Sequence, residues 1–157
     1  MQDIDLDIIR LTAINSDQFD RPLMKIFLSN PETAIIVDEM LSGEFVLPDL
    51  AFLGFINQKE AFYYSIEQAK QSAAVHFIFK PEYQDKALID YLANEIQRFI
   101  FNVLRKPKII LAIPKNNRKA RFSAAHRGFT LIGRNGDILI YKLHFTVWEQ
   151  RNRKHIP

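Results

Sequence analysis

The feature of this chain most able to do chemistry is a basic segment in its second half. Between Ile96 and Gly136 the sequence has ten arginine or lysine residues and no acid, whereas residues 1–60 have eleven acids and four bases. Four of these bases cluster at the start of a predicted helix: Lys115, Arg118, Lys119 and Arg121. Such a cluster can bind phosphates, nucleic acid or an acidic partner. Only Phe122 adds a ring for base stacking, and the pattern also fits a solvated helix face.

Other chemistries lack their motifs. Cysteine is absent, which excludes disulfide bonds, thiol catalysis and cysteine-bound zinc. The four histidines have no metal-ligand spacing, and no HExxH, P-loop or GxSxG motif occurs. Asp3, Asp5 and Asp7 alternate with apolar residues, so we expect them on the solvent face of a strand. Without a glycine turn and a distal glutamate they do not make a calcium loop. The sequence therefore predicts no metal site.

The composition is that of a globular domain. The chain has 157 residues, of which 48% are hydrophobic and 25% charged, with a net charge of +3. The sequence has no run of about 18 apolar residues, so it predicts no membrane span. The stretch Met1-Gln2-Asp3-Ile4-Asp5 is acidic where a signal peptide would be basic and then apolar. We therefore expect a cytoplasmic protein of one domain, 1–157, with a mobile basic tail from Arg151 to Pro157.

Patterns in the first half predict a strand, two helices and a hairpin. Ile4 to Ile14 begins with strict apolar alternation, which is typical of a half-exposed strand. One helix is expected from Ser16 or Asp17 to about Leu28, and a second from Asn30-Pro31-Glu32 to about Ser42-Gly43. The segments LAFLGFI and AFYYSIE are predicted to form a hairpin through Asn57-Gln58-Lys59-Glu60.

The second half alternates strands and helices. AAVHFIF, Ala73 to Phe79, is expected to be a central strand covered on both faces. Apolar residues recur every three or four positions from Asp85 to Leu104, which predicts a long amphipathic helix. The segment KIILAI gives another buried strand. A short helix capped by Asn117 ends at Gly128, and Arg134-Asn135-Gly136 turns the last hairpin.

The predicted order is β-α-α-β-β-β-α-β-α-β-β, an α/β (α+β) fold with a mixed central sheet that is antiparallel at both ends. This order resembles the GNAT N-acetyltransferase superfamily from about Ile4 to Leu143. The family loop hydrophobic-x-Pro-Glu-Tyr-Arg-Gly-x-Gly-x-Gly/Ala reads FKPEYQDKALI here, residues 79–89. A later family pattern has Asn-x-x-Ala, a Tyr seven residues after the Asn, and Gly-Phe at eleven and twelve. Asn117, Ala120, Gly128 and Phe129 match it.

The resemblance implies that the family loop binds the pyrophosphate of acetyl-CoA through N–H groups at a helix N-terminus, beside two parted parallel strands. The residues expected at the cofactor are Phe77, Phe79, Gln84, Asp85, Lys86, Ala87, Leu88 and Asn117. The resemblance also implies that the basic cluster before and in the short helix lies near the adenosine end of CoA, where it could pair with the phosphates. The loop departs from the family, because Ala87 and Ile89 stand at its small positions and Asp85 stands where glycine is common. An Asp85 carboxylate would compete with a phosphate for the same N–H groups, although Lys86 partly offsets it. A variant CoA loop and a self-capped helix that binds no cofactor both stay open.

The usual general acid of the family is missing. Many GNAT enzymes protonate the leaving thiolate with the tyrosine of the penultimate helix, and Ala124 stands at that position here. A general base could be Glu67 on the strand before the central one, or His76 on the central strand, acting directly or through one water. Each also has a structural interpretation, His76 as a packed core residue and Glu67 as a solvated strand end.

Three hypotheses of function follow. The first is a GNAT-like N-acyltransferase that transfers acetyl from acetyl-CoA to an amine, with catalysis intact or impaired. The alternative is a non-catalytic GNAT-fold module that binds a protein partner, as among phage accessory or morphogenesis proteins. The second alternative is a basic nucleic-acid accessory protein with salt-sensitive, non-specific binding. No membrane partner is expected.

Overall fold

The computed structural model describes residues 5–11, 50–83 and 85–153. In these ranges it has seven strands and three α-helices. The strands are β1 (Leu6–Leu11), β2 (Leu50–Ile56), β3 (Lys59–Gln68), β4 (Ala73–Phe79), β5 (Lys108–Pro114), β6 (Thr130–Asn135) and β7 (Ile138–His144). The helices are α1 (Lys86–Arg98), α2 (Arg118–His126) and α3 (Phe145–Arg153). The two helices predicted between positions 16 and 43 lie outside the described residues.

The strands form one sheet with the order β1-β2-β3-β4-β5-β7-β6. β4 and β5 are parallel, and the pairs β1–β2, β2–β3, β5–β7 and β6–β7 are antiparallel. The connection from β4 to β5 runs through α1, which is the crossover that parallel neighbours require. The mixed α/β fold with antiparallel ends is therefore confirmed.

The described residues fall into two compact units. The first holds residues 5–11, 50–67 and 76–86, and the second holds residues 68–75 and 87–153. β4 contributes residues to both units. The prediction of a single domain stays a prediction.

The first unit contains the β2–β3 hairpin, which turns at Asn57 and Gln58. Their φ angles are 51° and 70°, as in a two-residue type I′ turn. Lys59 and Glu60 therefore belong to β3, and the predicted four-residue connection is wrong by two residues. The Asn57 N–H donates to the Asp5 carbonyl at 2.8 Å, and the Asp5 N–H donates to Asn57 Oδ1 at 3.2 Å. Asp5, directly before β1, thus holds the turn through these two hydrogen bonds.

An aromatic stack around Phe62 forms the centre of this unit. Its ring centroid lies 5.0 Å from that of Phe79, 6.0 Å from Phe77 and 6.3 Å from Tyr64. Phe62 is completely buried. A Cβ atom on Gly54 would lie 2.0 Å from the Phe62 ring, so only glycine leaves room for the ring there.

β1 lies at an edge of the sheet and is covered mainly at its end. Leu11 is 2% exposed, whereas Ile8, which the alternation placed on the apolar face, is 39% exposed. An edge strand has one neighbour, so less of its surface is covered. Asp5 and Asp7 are exposed, as expected.

The second unit contains α1, which buries a stripe of apolar residues at helical spacing: Leu88, Leu92 and Ile96. The predicted helix from Asp85 to Leu104 is α-helical only to Arg98 and then continues as a π-helical turn, Phe99–Val103. This turn buries Phe101, whose ring centroid is 5.1 Å from that of Trp148 in α3.

β5 and β7 pair along their full lengths, and β6 forms the edge beyond β7. All six residues of β6 are exposed. The β6–β7 turn consists of Gly136 and Asp137, with a φ of 61° at Gly136. Arg134 and Asn135, which were predicted in the turn, lie in β6.

The predicted mobile tail begins inside α3, so the prediction is corrected for Arg151 to Arg153, which are helical. Arg151 donates through Nη2 to the His126 carbonyl at the end of α2. Arg153 pairs with Glu149 at 2.8 Å. A guanidinium at a helix C-terminus complements the partial negative charge of the last carbonyls, and this anchors the segment. Residues 154–157 lie outside the described ranges.

Candidate functional site

The loop after β4 uses some of its own amides in turns. Pro81–Tyr83 is a single 3₁₀ turn, and α1 begins at Lys86. The Tyr83 N–H donates to the Lys80 carbonyl at 2.9 Å, and the Asp85 N–H donates to the Tyr83 carbonyl at 2.8 Å. These two amides are therefore engaged by the loop itself.

The residues predicted at the cofactor differ in accessibility. Asp85, Lys86 and Ala87 are exposed, with Asp85 directly before the first residue of α1. Phe79 and Leu88 are buried, so their side chains cannot contact a ligand. Only the main-chain groups of these two residues could bind one. Phe77 is half-buried and stacks on Phe62 and Phe79. Gln84 lies outside the described residues.

The parallel ladder between β4 and β5 is short. It joins Ala73 to Ile109 and Ala74 to Ile110. β4 continues to Phe79 and β5 to Pro114. The ladder thus holds the two strands at their first residues.

Glu67 and His76 are brought together on adjacent strands of the first unit. His76 Nε2 lies 4.0 Å from Glu67 Oε1, and the side chains are 39% and 58% exposed. The sequence offered these residues as alternative bases, and the structure makes them a pair. Both are open to solvent, so a proton taken up by either can pass to water.

Two buried polar residues on the same face of β3 were missed by the sequence reasoning. Tyr63 and Ser65 are each 2% exposed, and alternation along the strand places them on the face of Glu67. Burial raises the pKa of Tyr63 to about 12, a side-chain hydrogen bond with Ser65 opposes this, and the Glu67 charge adds to it. The signal was a polar residue at every second position, Tyr-x-Ser-x-Glu, inside an apolar strand.

Asn117 and Gly128 delimit α2 as predicted. Asn117 Oδ1 accepts a hydrogen bond from the Ala120 N–H at 3.1 Å, which confirms the cap. Gly128 has a φ of 96°, and its N–H donates to the Ala125 carbonyl at 3.1 Å. The Phe129 N–H donates to the Ala124 carbonyl at 3.0 Å, which completes a Schellman motif, and Phe129 is buried.

The end of α2 is anchored to α1. The Arg127 guanidinium pairs with Asp90 and donates to Ser123 Oγ at 3.2 Å. Ala124, which the sequence resemblance aligned with a catalytic tyrosine, is buried.

The basic cluster lies in the loop before α2 and on its first turns. Lys115, Arg118 and Lys119 are exposed, and Arg121 donates to the Lys115 carbonyl at 2.8 Å. Phe122 is 77% exposed. The cluster and this ring share an open surface of the second unit.

Within the described ranges no group of three or more His, Asp or Glu side chains is placed to hold a metal ion. None of the helices described is both long enough and apolar enough to cross a bilayer.

No protein-family model and no curated protein matches the chain. Solved structures do. Mutant forms of the spermidine/spermine N-acetyltransferase SpeG from Vibrio cholerae superpose with a TM-score of 0.68 and 19% identity, over 94% of this chain and 98% of theirs. The Campylobacter jejuni N-acetyltransferase PseH in complex with acetyl coenzyme A superposes with a TM-score of 0.60 and 16% identity, over 89% of this chain and 99% of PseH. Apo FdhC, a nucleotide-linked sugar GNAT, superposes with a TM-score of 0.68 and 11% identity, over 96% of this chain and 92% of FdhC. The chain therefore has the GNAT N-acetyltransferase fold.

Proposed function

We propose that the chain is an N-acyltransferase that transfers the acetyl group of acetyl-CoA to an amine. The observation that carries the proposal is the solvent-accessible pair of Glu67 and His76, 4.0 Å apart, on a chain with this fold. The similarity to PseH, which is described in complex with acetyl coenzyme A, supports the choice of cofactor.

In the proposal, the start of α1 binds the pyrophosphate of the cofactor. Lys86 and Ala87 are exposed in its first turn, where the helix dipole favours an anion. The Lys86 ammonium adds a positive charge, and the Asp85 carboxylate adds a negative one. We therefore expect Asp85 to weaken cofactor binding. A unit charge at about 4 Å in water is worth about 1 kcal/mol, so Asp85→Asn should tighten acetyl-CoA binding about fivefold.

Bound acetyl-CoA would supply the acetyl thioester, and the residues of this chain would move the proton. In the proposal, His76 accepts the proton that the amine loses on acylation, and the Glu67 carboxylate stabilises the imidazolium that results. Both groups are open to water, which then carries the proton away. In the same proposal, water protonates the departing thiolate.

The exposed Glu67 carboxylate would also attract a cationic acceptor. SpeG is described as a spermidine/spermine N-acetyltransferase, so spermidine is the first acceptor to test, together with spermine, lysine and a lysine-containing peptide.

The first experiment is a thermal-shift titration with acetyl-CoA. A ligand at 100 times its Kd stabilises the folded state by about 2.7 kcal/mol, so millimolar acetyl-CoA should raise Tm clearly. No shift at that concentration would remove the proposal. A shift without turnover of any acceptor would instead support a non-catalytic GNAT-fold protein.

The second experiment measures CoA release with a thiol reagent. The chain has no cysteine, so every thiol detected is CoA. Glu67→Gln and His76→Gln should each lower kcat about 10²- to 10⁴-fold and leave the acetyl-CoA thermal shift unchanged. Glu60→Gln, the same change near the opposite end of β3, is the matched control. If both site variants turn over like the control, the pair is not the base.

A further inference from the structure

The outer face of α2 carries an exposed pair of aromatic rings. Phe122 is 77% exposed, the highest exposure of any large apolar residue in the described ranges. Its ring is nearly parallel to that of His126, with planes 3° apart and centroids 6.4 Å apart. The two residues are four positions apart, so they lie on the same helix face. An exposed ring on a positively charged helix face can stack on a nucleic-acid base.

Two unpaired cations flank the rings. Arg118 and Lys119 precede Phe122 by four and three residues, which places them on its face about 6 Å and about 4.5 Å along the helix axis. Both are exposed, and neither has an ion-pair partner in the part of the chain that the structure describes. Lys115 is exposed in the preceding loop, where its N–H donates to the Asp137 carbonyl at 2.7 Å.

The other two arginines of this region are engaged in structure. Arg121 donates to the Lys115 carbonyl, and Arg127 pairs with Asp90. The stretch from Ile96 to Gly136 contains no acid that could neutralise the face from within. This face of α2 therefore presents two exposed rings with two cations on their N-terminal side.

We propose that this face of α2 binds single-stranded nucleic acid, with a base stacked on Phe122 and neighbouring phosphates paired with Arg118 and Lys119. Stacking of bases on an exposed ring next to a positive track is the general mode of single-strand binding without sequence preference. An acidic peptide would use the cations but has no group that needs the ring. A duplex would keep its bases away from the ring.

The test is fluorescence anisotropy with fluorescein-labelled 12-nucleotide single strands of mixed sequence, one of RNA and one of DNA, at increasing salt. Two to three phosphate contacts give a slope of log K against log salt of about −1.5 to −2. Phe122→Ala should weaken binding about 5- to 140-fold, the range for loss of one stacked base. Phe122→Tyr keeps a ring and should bind like the wild type. Lys119→Glu should weaken binding and flatten the salt slope.

Each variant has a matched control. Tyr91→Ala removes an exposed ring from α1, where the neighbouring charges are acidic, and should not change binding. Arg153→Glu changes the net charge by the same amount as Lys119→Glu but at an exposed residue of α3. Circular dichroism confirms that each variant is folded.

Saturable binding that is weakened in Phe122→Ala and Lys119→Glu, and kept in Phe122→Tyr and in the two controls, supports the proposal. Whether RNA, DNA or both bind identifies the source of the strand. The proposal is overturned if no saturable binding occurs in 50 mM salt, or if Arg153→Glu is as harmful as Lys119→Glu. A third result would also overturn it: Phe122→Ala has no effect on binding, and polyglutamate competes with the labelled oligonucleotide no less strongly than unlabelled RNA of equal charge. That last result would indicate an acidic protein partner.

Discussion

Gly54→Ala is expected to be the most damaging small substitution in the first unit. The new Cβ would lie 2.0 Å from Phe62 Cζ and 2.3 Å from both Cε atoms. The ring has little room to move, because it is completely buried among Tyr64, Phe77 and Phe79. Overpacking a core costs about 1–3 kcal/mol. A clash that involves three ring atoms belongs at the upper end, so we expect a loss of about 3 kcal/mol from a total stability of about 5–15 kcal/mol.

A second substitution shows whether the clash is the cause. Phe62→Leu removes the three ring atoms that the methyl group would meet, at a cost of about 2 kcal/mol for the lost apolar contacts. In the double variant the methyl group occupies the space that Phe62→Leu vacates. The double variant should therefore lose about 2 kcal/mol of stability. The sum of the two single losses is about 5 kcal/mol, so the coupling energy is about 3 kcal/mol.

The assay is urea unfolding followed by far-ultraviolet circular dichroism, with midpoints compared at constant slope. Gly133→Ala is the control, because nothing lies within 4 Å of a Cβ built at that position. An additive double variant would refute the packing argument. So would a Gly54→Ala protein within about 0.5 kcal/mol of the wild type.

Three further predictions concern cooperativity, pH and capping. Gly54→Ala lies in the first unit, and Trp148 lies in the second. If the chain is one cooperative domain, this substitution should lower the urea midpoint measured by Trp148 fluorescence and the midpoint measured by circular dichroism by the same amount. Burial raises the pKa of Tyr63 to about 12 from its ordinary 10.0, so the unfolded chain loses this proton first. The Tyr63 contribution to the free energy of unfolding should then fall by up to about 1.4 kcal/mol per pH unit between these values, measured by urea titration. Burial raises the pKa of Tyr64 to about 12 as well, so Tyr64 adds a fall of the same size and Tyr63→Phe should about halve the slope. Asn117→Ala removes the cap of α2 and should cost about 1 kcal/mol in urea unfolding, whereas Asn117→Ser should keep most of it.

The architecture followed from signals that are local in the sequence. Apolar periodicity located β4, α1 and β5, and their order required a parallel crossover. The cap at Asn117 and the stop at Gly128 depend on groups within a few residues, so residue type was enough to predict them. The mixed sheet followed because the β2–β3 and β6–β7 connections are short turns and the β4–β5 connection is helical.

The candidate site was less accessible to this reasoning. The contact of Glu67 with His76 depends on the register between two strands, which their individual patterns do not specify. The hydrogen bond of Tyr63 with Ser65 needs knowledge of which face is buried. The anchoring of Arg151 on α2 depends on the docking of a distant helix, so composition alone suggested a mobile tail. The π turn after Arg98 also escaped notice, because its apolar residues continue the helical spacing.

The turn at Asn57 and Gln58 has a consequence for the order of folding. Two left-handed residues other than glycine cost about 1–2 kcal/mol each, and the bonds that offset this come from Asp5, 52 residues away. In refolding from denaturant, the entropy of closing that loop must be overcome before the hairpin gains its support. We therefore expect the hairpin to close late in refolding, after Asp5 has met the turn.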